Sequence, residues 1–260
     1  MVQTTSIKQP ISAFIITKNE EDRIARAVNS VINWVDEVIV VDSGSTDNTI
    51  SIAKSCGAIV IEKDWPGYGP QKRFAEEQCK NRWVLNIDAD EEITTNLAKE
   101  IQGLFTPRPP AGSAYILKIR DVYPHQQKPS RFAYTYRVVR LYNLDDGRYS
   151  NSPIHDRVEF DTNTRIYTLK NDIHQRSIRS LSHLNAKNNT YTDLQAEIFY
   201  QKGRQISAWR LIVEFPISFL NAYIRRGHFL RGSYGFILSM QYAYTRFMRV
   251  AKIIEKKNLP

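Results

Sequence analysis

Three short polar clusters hold residue types able to bind and turn over a phosphorylated ligand. They are Thr17-Lys-Asn-Glu-Glu21, Asp42-Ser-Gly-Ser-Thr-Asp47 and Asp88-Ala-Asp-Glu-Glu92, and each follows an apolar run. The sharpest is Asp88-Ala-Asp90. Mg²⁺ and Mn²⁺ prefer oxygen ligands, and Mg²⁺ usually combines one or two carboxylates with substrate phosphates. Two aspartates flanking one small residue offer such carboxylates, and the alanine leaves room for a diphosphate. A D-x-D triplet also recurs by chance; its place directly behind Trp83-Val-Leu-Asn-Ile87 gives it weight. Acidic residues ahead of a helix serve as N-caps and favour the helix dipole. Three such clusters at the ends of three strands make capping alone the weaker explanation.

The surrounding pattern supplies the elements that would position them. Residues 11–17, 38–41, 58–61 and 83–87 read as buried strands, and 19–33, 46–56 and 70–80 as helices, with Ser45 or Asp47 able to cap the second. Alternating strands and helices, with strands apolar throughout, predict a mostly parallel sheet covered by helices on both faces. Ligands of open parallel sheets bind beyond the carboxyl ends of the strands, so the three clusters are expected to converge. A helix at 96–105, a proline-rich loop at 106–112 and strands at 114–120, 135–142 and 154–160 follow, and from Ser182 the pattern is helical. The expected domains are 1–180, with a donor half at about 11–105 and an acceptor and base half at about 106–180, and a helical basic extension at 181–260.

Composition narrows the class. The 260 residues are 42% hydrophobic and 24% charged, which excludes collagenous, low-complexity and largely disordered chains. Two cysteines, Cys56 and Cys79, cannot form a disulfide scaffold and suit a reducing compartment. The net charge of +9 is confined to residues 201–260, where 11 Lys and Arg face two acids. No targeting segment is visible, and the longest apolar stretch, 206–224, is broken by Arg210, Glu214 and Pro216. A cytoplasmic protein, peripheral on the cytoplasmic face of the inner membrane, is expected. A P-loop is missing, as is a G-x-G-x-x-G after the first strand; Gly67-Tyr-Gly69 follows another strand and lacks the third glycine. The neutral body and the lack of any recognised module argue against nucleic acid as a partner. His125, His174, His183 and His228 lack metal-ligand spacing and read as structural or surface residues.

Together, Thr17-Lys-Asn-Glu-Glu21, Val40-Val-Asp-Ser-Gly-Ser-Thr-Asp47, the Gln71-Lys-Arg73 helix and Leu85-Asn-Ile-Asp-Ala-Asp-Glu91 resemble family 2 glycosyltransferases of the GT-A fold, in order and spacing, over residues 11–160. Within that family the chain resembles bacterial lipopolysaccharide core-biosynthesis β-1,4-glucosyltransferases, which act on inner-core heptose. That narrower likeness rests on Thr17-Lys-Asn-Glu20, Trp65-Pro-Gly-Tyr-Gly-Pro-Gln-Lys-Arg73, Ile154-His-Asp156 and Ala251-Lys-Ile-Ile-Glu255. The resemblance implies a UDP-hexose donor, a divalent cation (Mg²⁺ or Mn²⁺), a lipid-anchored oligosaccharide acceptor and a single inverting displacement. Another cell-surface glycan is the alternative acceptor. It further implies that Thr17, Asn19 and Glu20 line the nucleotide pocket and that Asp42 contacts uracil or ribose. Lys72 and Arg73 would reach the uridine or diphosphate, Asp88 the ribose or metal side, and Asp90 the metal. Asp156 falls where the family places its catalytic base. The core-biosynthesis group more often carries His-Glu there; this chain has His155-Asp156, one methylene shorter, with His155 in a positioning role. A sugar-nucleotide nucleotidyltransferase also uses paired aspartates, but it would carry a glycine-rich basic loop where this chain has Asn19-Glu-Glu-Asp22.

Residues 234–257 form an amphipathic helix pattern. With Phe247 at zero and about 100° per residue, Phe236, Met240, Ala243, Tyr244, Ala251 and Ile254 lie within about 60° of it, and Arg249, Lys252 and Lys256 about 140–180° away. Either the apolar face packs on the body and the basic face is solvated, or the helix lies on an anionic membrane.

Overall fold

A computed structural model describes residues 8–110, 113–153, 156–161, 164–202 and 206–258. The chain divides into one unit of Met1–Asp121 with Tyr134–Gln175 and another of Val122–Ala133 with Arg176–Pro260. The second unit thus begins at Arg176 and also takes in a segment from within the expected acceptor half.

The first unit is built as the apolar runs predict. β1 (Gln9–Thr17), α1 (Ile24–Asn29), β2 (Val35–Asp42), α2 (Thr49–Ser55), β3 (Ile59–Glu62), α3 (Tyr68–Glu77) and β4 (Trp83–Asn86) alternate in order. They are followed by β5 (Glu91–Ile93), α4 (Thr95–Leu104), β6 (Ser113–Asp121), β7 (Thr135–Asn143), β8 (Gly147–Tyr149), β9 (Val158–Phe160) and β10 (Arg165–Gln175). Eight strands form one sheet in the order β3-β2-β1-β4-β7-β6-β10-β5, and β8 pairs with β9 separately. β3, β2, β1 and β4 are parallel; β7 enters antiparallel to both β4 and β6, while β10 runs parallel to β6.

Alternation along β1 places helices on both faces. Ile11, Ala13 and Ile15 pack with Ile24, Ala27 and Val28 of α1, Ala53 of α2, and Leu97 and Ile101 of α4. Phe14 points the other way, to Ala75 of α3 and to Tyr142 and Tyr149. Each fully buried Ile, Leu or Phe stabilises the fold by about 1.5–3 kcal/mol, so both faces are firmly anchored. Three strands escaped the sequence reading. β5 and β8 are only three residues long, and β10 has no regular alternation, with Ile166 and Tyr167 exposed.

The second unit holds α5 (Leu181–Gln201), α6 (Arg210–Leu220), a π turn (Asn221–Arg225), a 3₁₀ turn (His228–Arg231) and α7 (Gly232–Asn258). Among the described residues no helix is long and apolar enough to cross a membrane. The amphipathic helix exists, but its basic stripe is not the solvated face expected of a helix packed on the body. Its basic stripe meets other helices: Lys252 pairs with Asp193 at 2.7 Å, Lys256 with Glu197, and Arg246 with Glu214 at 3.0 Å, with Arg249 3.8 Å from the same carboxylate. Of the expected apolar face only Ala243 is buried, while Phe236, Met240 and Tyr244 are exposed. The cause lies outside the 234–257 window, in the acids that α5 and α6 present.

Candidate active site

Strand register gathers the three clusters. Thr17 lies beside Asp42 across β1 and β2, and Asn86 of β4 pairs with Phe14, so that Asp88 and Asp90 follow at the same edge. The first two loops are laced together. The Asn19 amide donates to Ser45 Oγ at 2.8 Å, the Glu20 amide to Thr49 Oγ1 at 2.7 Å, and the Thr46 amide to Asn19 Oδ1 at 2.8 Å. These bonds hold residues 19–21 out of the helix, which is why α1 begins at Ile24 rather than at Asn19. Asn19 sits at φ 55°, a left-handed conformation that asparagine tolerates better than most residues.

Asp42 is fully buried and its carboxylate shapes the following turn. Oδ1 accepts from the Gly44 amide (2.9 Å) and the Ser45 amide (2.7 Å), and Oδ2 from Ser45 Oγ (2.5 Å). Thr17 Oγ1 is buried and has no hydrogen-bond partner among the described residues. Glu20 is bound by Arg23 at 2.5 Å, and Arg23 also lies 3.8 Å from Asp90.

The centre of the site is Arg140, which the sequence reading passed over. Its guanidinium donates to Asn86 Oδ1, to Asp88 Oδ2 at 2.5 Å and to Glu91 Oε1 at 2.7 Å. The antiparallel register of β7 with β4, in which Leu141 faces Leu85, carries Arg140 opposite Asn86. The signal was a charged residue inside the apolar strand Val138-Val-Arg-Leu-Tyr142, since an arginine is almost never buried unless paired. Tyr149 completes this shell by donating to Asn86 Oδ1 at 2.7 Å.

Lys72 joins the cluster to the expected base. It is 2% exposed, and its Nζ lies 3.1 Å from Asp88 Oδ1 and 2.7 Å from Asp156 Oδ2. Burial opposes its charge, but Asp88, with Asp156 adding a smaller share, keeps its pKa raised. Burial would likewise raise Asp88, yet Arg140 and Lys72 hold it well below the ordinary carboxylate range. Glu91 is driven the other way, upward, by burial and by the charge of Asp88 in spite of Arg140. Arg73, one residue beyond Lys72, turns to the Tyr149 carbonyl at 3.3 Å and to Glu77 at 3.6 Å, away from these carboxylates. His155 lies outside the described residues. His174 pairs in register with Glu92 on β10 and β5, and His183 belongs to the second unit, in the first turn of α5.

Asp88 and Asp90 are therefore not equivalent. Both oxygens of Asp88 are held by cations. Among the described residues Asp90 has the Gln175 amide at 3.4 Å and Arg23 at 3.8 Å as partners, and burial together with the charge of Asp88 raises its pKa. A carboxylate so short of positive charge suits a divalent cation. Among the described residues no three His, Cys, Asp or Glu side chains cluster as a metal cage, a pattern compatible with Mg²⁺ held by few carboxylates and substrate phosphates.

The Trp65–Arg73 motif also has a structural explanation. The amides of Tyr68 and Gly69 donate to the carbonyls of Pro153 (3.1 Å) and Ser152 (3.2 Å), tying the start of α3 to the segment that leads to Asp156. A Cβ on Gly69 would fall 2.3 Å from the Ser150 carbonyl oxygen and 2.4 Å from that of Ser152. Gly69→Ala is expected to cost about 1–3 kcal/mol of stability. It should also lower turnover, because Lys72 and Asp156 are drawn apart. Thermal unfolding and initial rates measured on the same preparation check both effects.

A mostly parallel sheet with carboxylates at its strand ends, and a buried lysine linking one of them to a more exposed acid, is the arrangement of a nucleotide-sugar transferase of GT-A type. The chain belongs to glycosyl transferase family 2, whose model matches residues 12–166. It is 45% identical over 251 residues to an uncharacterised glycosyltransferase of Rickettsia prowazekii (strain Madrid E), covering 94% of this chain and 86% of the relative. It is 32% identical over 270 residues to the lipopolysaccharide core biosynthesis glycosyltransferase LpsC of Rhizobium meliloti (strain 1021), covering 97% and 94%. Among solved structures, S. aureus TarS 1–349 aligns over 96% of this chain and 92% of its own, at 15% identity and a TM-score of 0.45, too remote to bear on substrate.

Proposed function

We propose that this glycosyltransferase moves a hexose, glucose in the first instance, from a UDP-sugar to the heptose of a lipopolysaccharide or lipooligosaccharide inner core, with inversion. The observation that carries the reading is the position of Lys72 between Asp88 and Asp156. One buried ammonium lies between the nucleotide-side carboxylate and the candidate base, which puts the candidate base within reach of the donor side of the site. The near full-length match to LpsC supports the acceptor class.

In this reading Asp90 holds the divalent cation. When bound, that ion supplies positive charge to the departing diphosphate. Lys72 adds a second positive charge to the diphosphate, and Asp88 stays fixed by Arg140 on the ribose side. Thr17 Oγ1, which has no partner among the described residues, offers the nucleoside a hydroxyl, while Asn19, Glu20 and Asp42 hold the loops that enclose it. Arg73 lies at the outer wall of the uridine pocket. Asp156 takes the proton of the attacking acceptor hydroxyl, and one displacement converts the α-linked donor to a β-product.

A screen of UDP-hexoses with Mn²⁺ by thermal shift, followed by transfer to truncated core oligosaccharide, tests this. One UDP-hexose is expected to raise the melting temperature in a metal-dependent manner and to add one hexose to the heptose. Asp90→Ala is expected to abolish the metal-dependent part of donor binding. Metal dependence at unchanged affinity in that variant places the ion elsewhere, and transfer confined to another glycan overturns the acceptor.

A further inference from the structure

We propose that the outer face of α6 and α7 seats in the apolar layer of one leaflet of an anionic membrane. The inference stands on the second unit alone and holds whichever sugar is transferred.

The two helices are built inside out for a water-exposed pair. On α6 and the π turn that continues it, the residues buried at spacings of four are Glu214, Ser218 and Ala222. The exposed residues are apolar: Ile212 at 75%, Ile217 at 62%, Leu220 at 52% and Ile224 at 60%, with Trp209 just ahead of the helix at 62%. At about 100° per residue these outward residues span an arc of about 140°, opposite the small and polar stripe. A helix packed on an aqueous protein surface shows the reverse, its apolar stripe turned inward. α7 repeats the pattern. Gly235, Ser239 and Ala243, again four apart, are buried, while Phe236, Met240 and Tyr244 are exposed. The 3₁₀ turn also packs closely on this stripe: a Cβ on Gly235 would lie 1.9 Å from the His228 carbonyl oxygen. Small residues spaced by four are how helices meet when the outside is lipid rather than water.

Charge follows the same inversion. Glu214 is 7% exposed and bound by Arg210 of the same helix at 2.8 Å and by Arg246 of α7 at 3.0 Å, so its charge is turned toward the other helix rather than outward. The exposed cations Arg225 and Arg226 stand at the elbow beside the exposed Phe229 and Leu230, and the Arg226 guanidinium sits 4.7 Å over the Tyr242 ring. Arginines and a tryptophan at the borders of an apolar face match the headgroup layer of an anionic membrane, with long cationic side chains reaching outward. α6 and its π turn together run only from Arg210 to Arg225, and no described helix is a candidate span, so the face lies within one leaflet. The basic stripe of α7 does not make this contact, because Lys252 and Lys256 are paired with α5.

Flotation of the full chain with mixed phosphatidylethanolamine and phosphatidylglycerol vesicles tests the proposal. Binding is expected to persist at about 0.5 M salt, where purely electrostatic attraction is screened. Ile217→Ser with Leu220→Ser is expected to lower vesicle partition at least ~10-fold, with melting temperature and UDP binding unchanged. Trp34 and Trp83 are buried, so in a Trp65→Phe background acyl-chain-brominated lipid is expected to quench Trp209. Release of the wild type by salt, or wild-type partition of the double variant, overturns the proposal. So does a lipid-free dimer that the double variant dissolves, which would make a second copy the occupant. Donor binding is read separately, so loss of vesicle binding with intact UDP binding is distinguished from failure of the glycosyltransferase reading.

Discussion

Asp156→Asn is expected to lower transfer by about 10²–10⁴-fold, the contribution typical of a positioned general base, while UDP-sugar binding stays within a few-fold of wild type. The asparagine keeps the shape but cannot accept the acceptor's proton. The fold should tolerate the change. The Asp156 side chain is 35% exposed, and Lys72 retains Asp88 at 3.1 Å as a partner. Without donor, the carboxylate of Asp156 is engaged by Lys72. In the proposed reading, a diphosphate bound at Lys72 would compete for that ammonium and free Asp156 as the acceptor hydroxyl approaches. Rates under saturating donor, together with a separate titration of UDP-sugar binding, resolve the two effects. Near-normal turnover in the variant excludes Asp156 as base, and a parallel loss of donor affinity shows instead that it holds the nucleotide side together through Lys72.

What the sequence disclosed and what it withheld have physical reasons. The parallel half of the sheet was readable because β1, β2 and β4 are buried on both faces and appear as unbroken apolar runs. The clusters beginning at Thr17, Asp42 and Asp88 were readable because such strands deliver their loops to one edge. Arg140 and Gln175 were not, because they reach the site on β7 and β10, whose places in the sheet depend on pairings between distant segments. No local periodicity encodes that Arg140 will stand opposite Asn86. The unequal roles of Asp88 and Asp90 were hidden for the same reason, since the cations that distinguish them lie far away in sequence. In α7 the helix was legible and its faces were not. A helical wheel shows which residues share a side, but Asp193, Glu197 and Glu214 on other helices decide which side turns inward.

Arg140→Met should prove the most destabilising substitution in the site. Arg140 is 3% exposed, and its guanidinium is the cation that Glu91, Asp88 and Asn86 share. Glu91 is sealed from solvent, with a side-chain exposure of 0%, whereas Asp88 at 31% retains access to the cleft. Methionine fills much of the volume but leaves the buried carboxyl of Glu91 without its cation, with the Asp88 amide at 2.9 Å still donating to it. Removing one member of a buried pair in this way costs about 3–5 kcal/mol. The buried carboxyl of Glu91, already pushed upward, has protonation as its escape, so neutralising it chemically should recover part of the loss. Arg140→Met with Glu91→Gln is accordingly expected to be more stable than Arg140→Met alone, a coupling that denaturant unfolding of the four proteins in the cycle measures. Transfer should remain impaired in the double variant, because Asp88 has lost the guanidinium that orients it and keeps only Lys72. A single variant within about 1 kcal/mol of wild type would mean that water or a shifted Lys72 already satisfies Glu91. In that case the strand-end carboxylates would be held by the backbone that carries them rather than by Arg140.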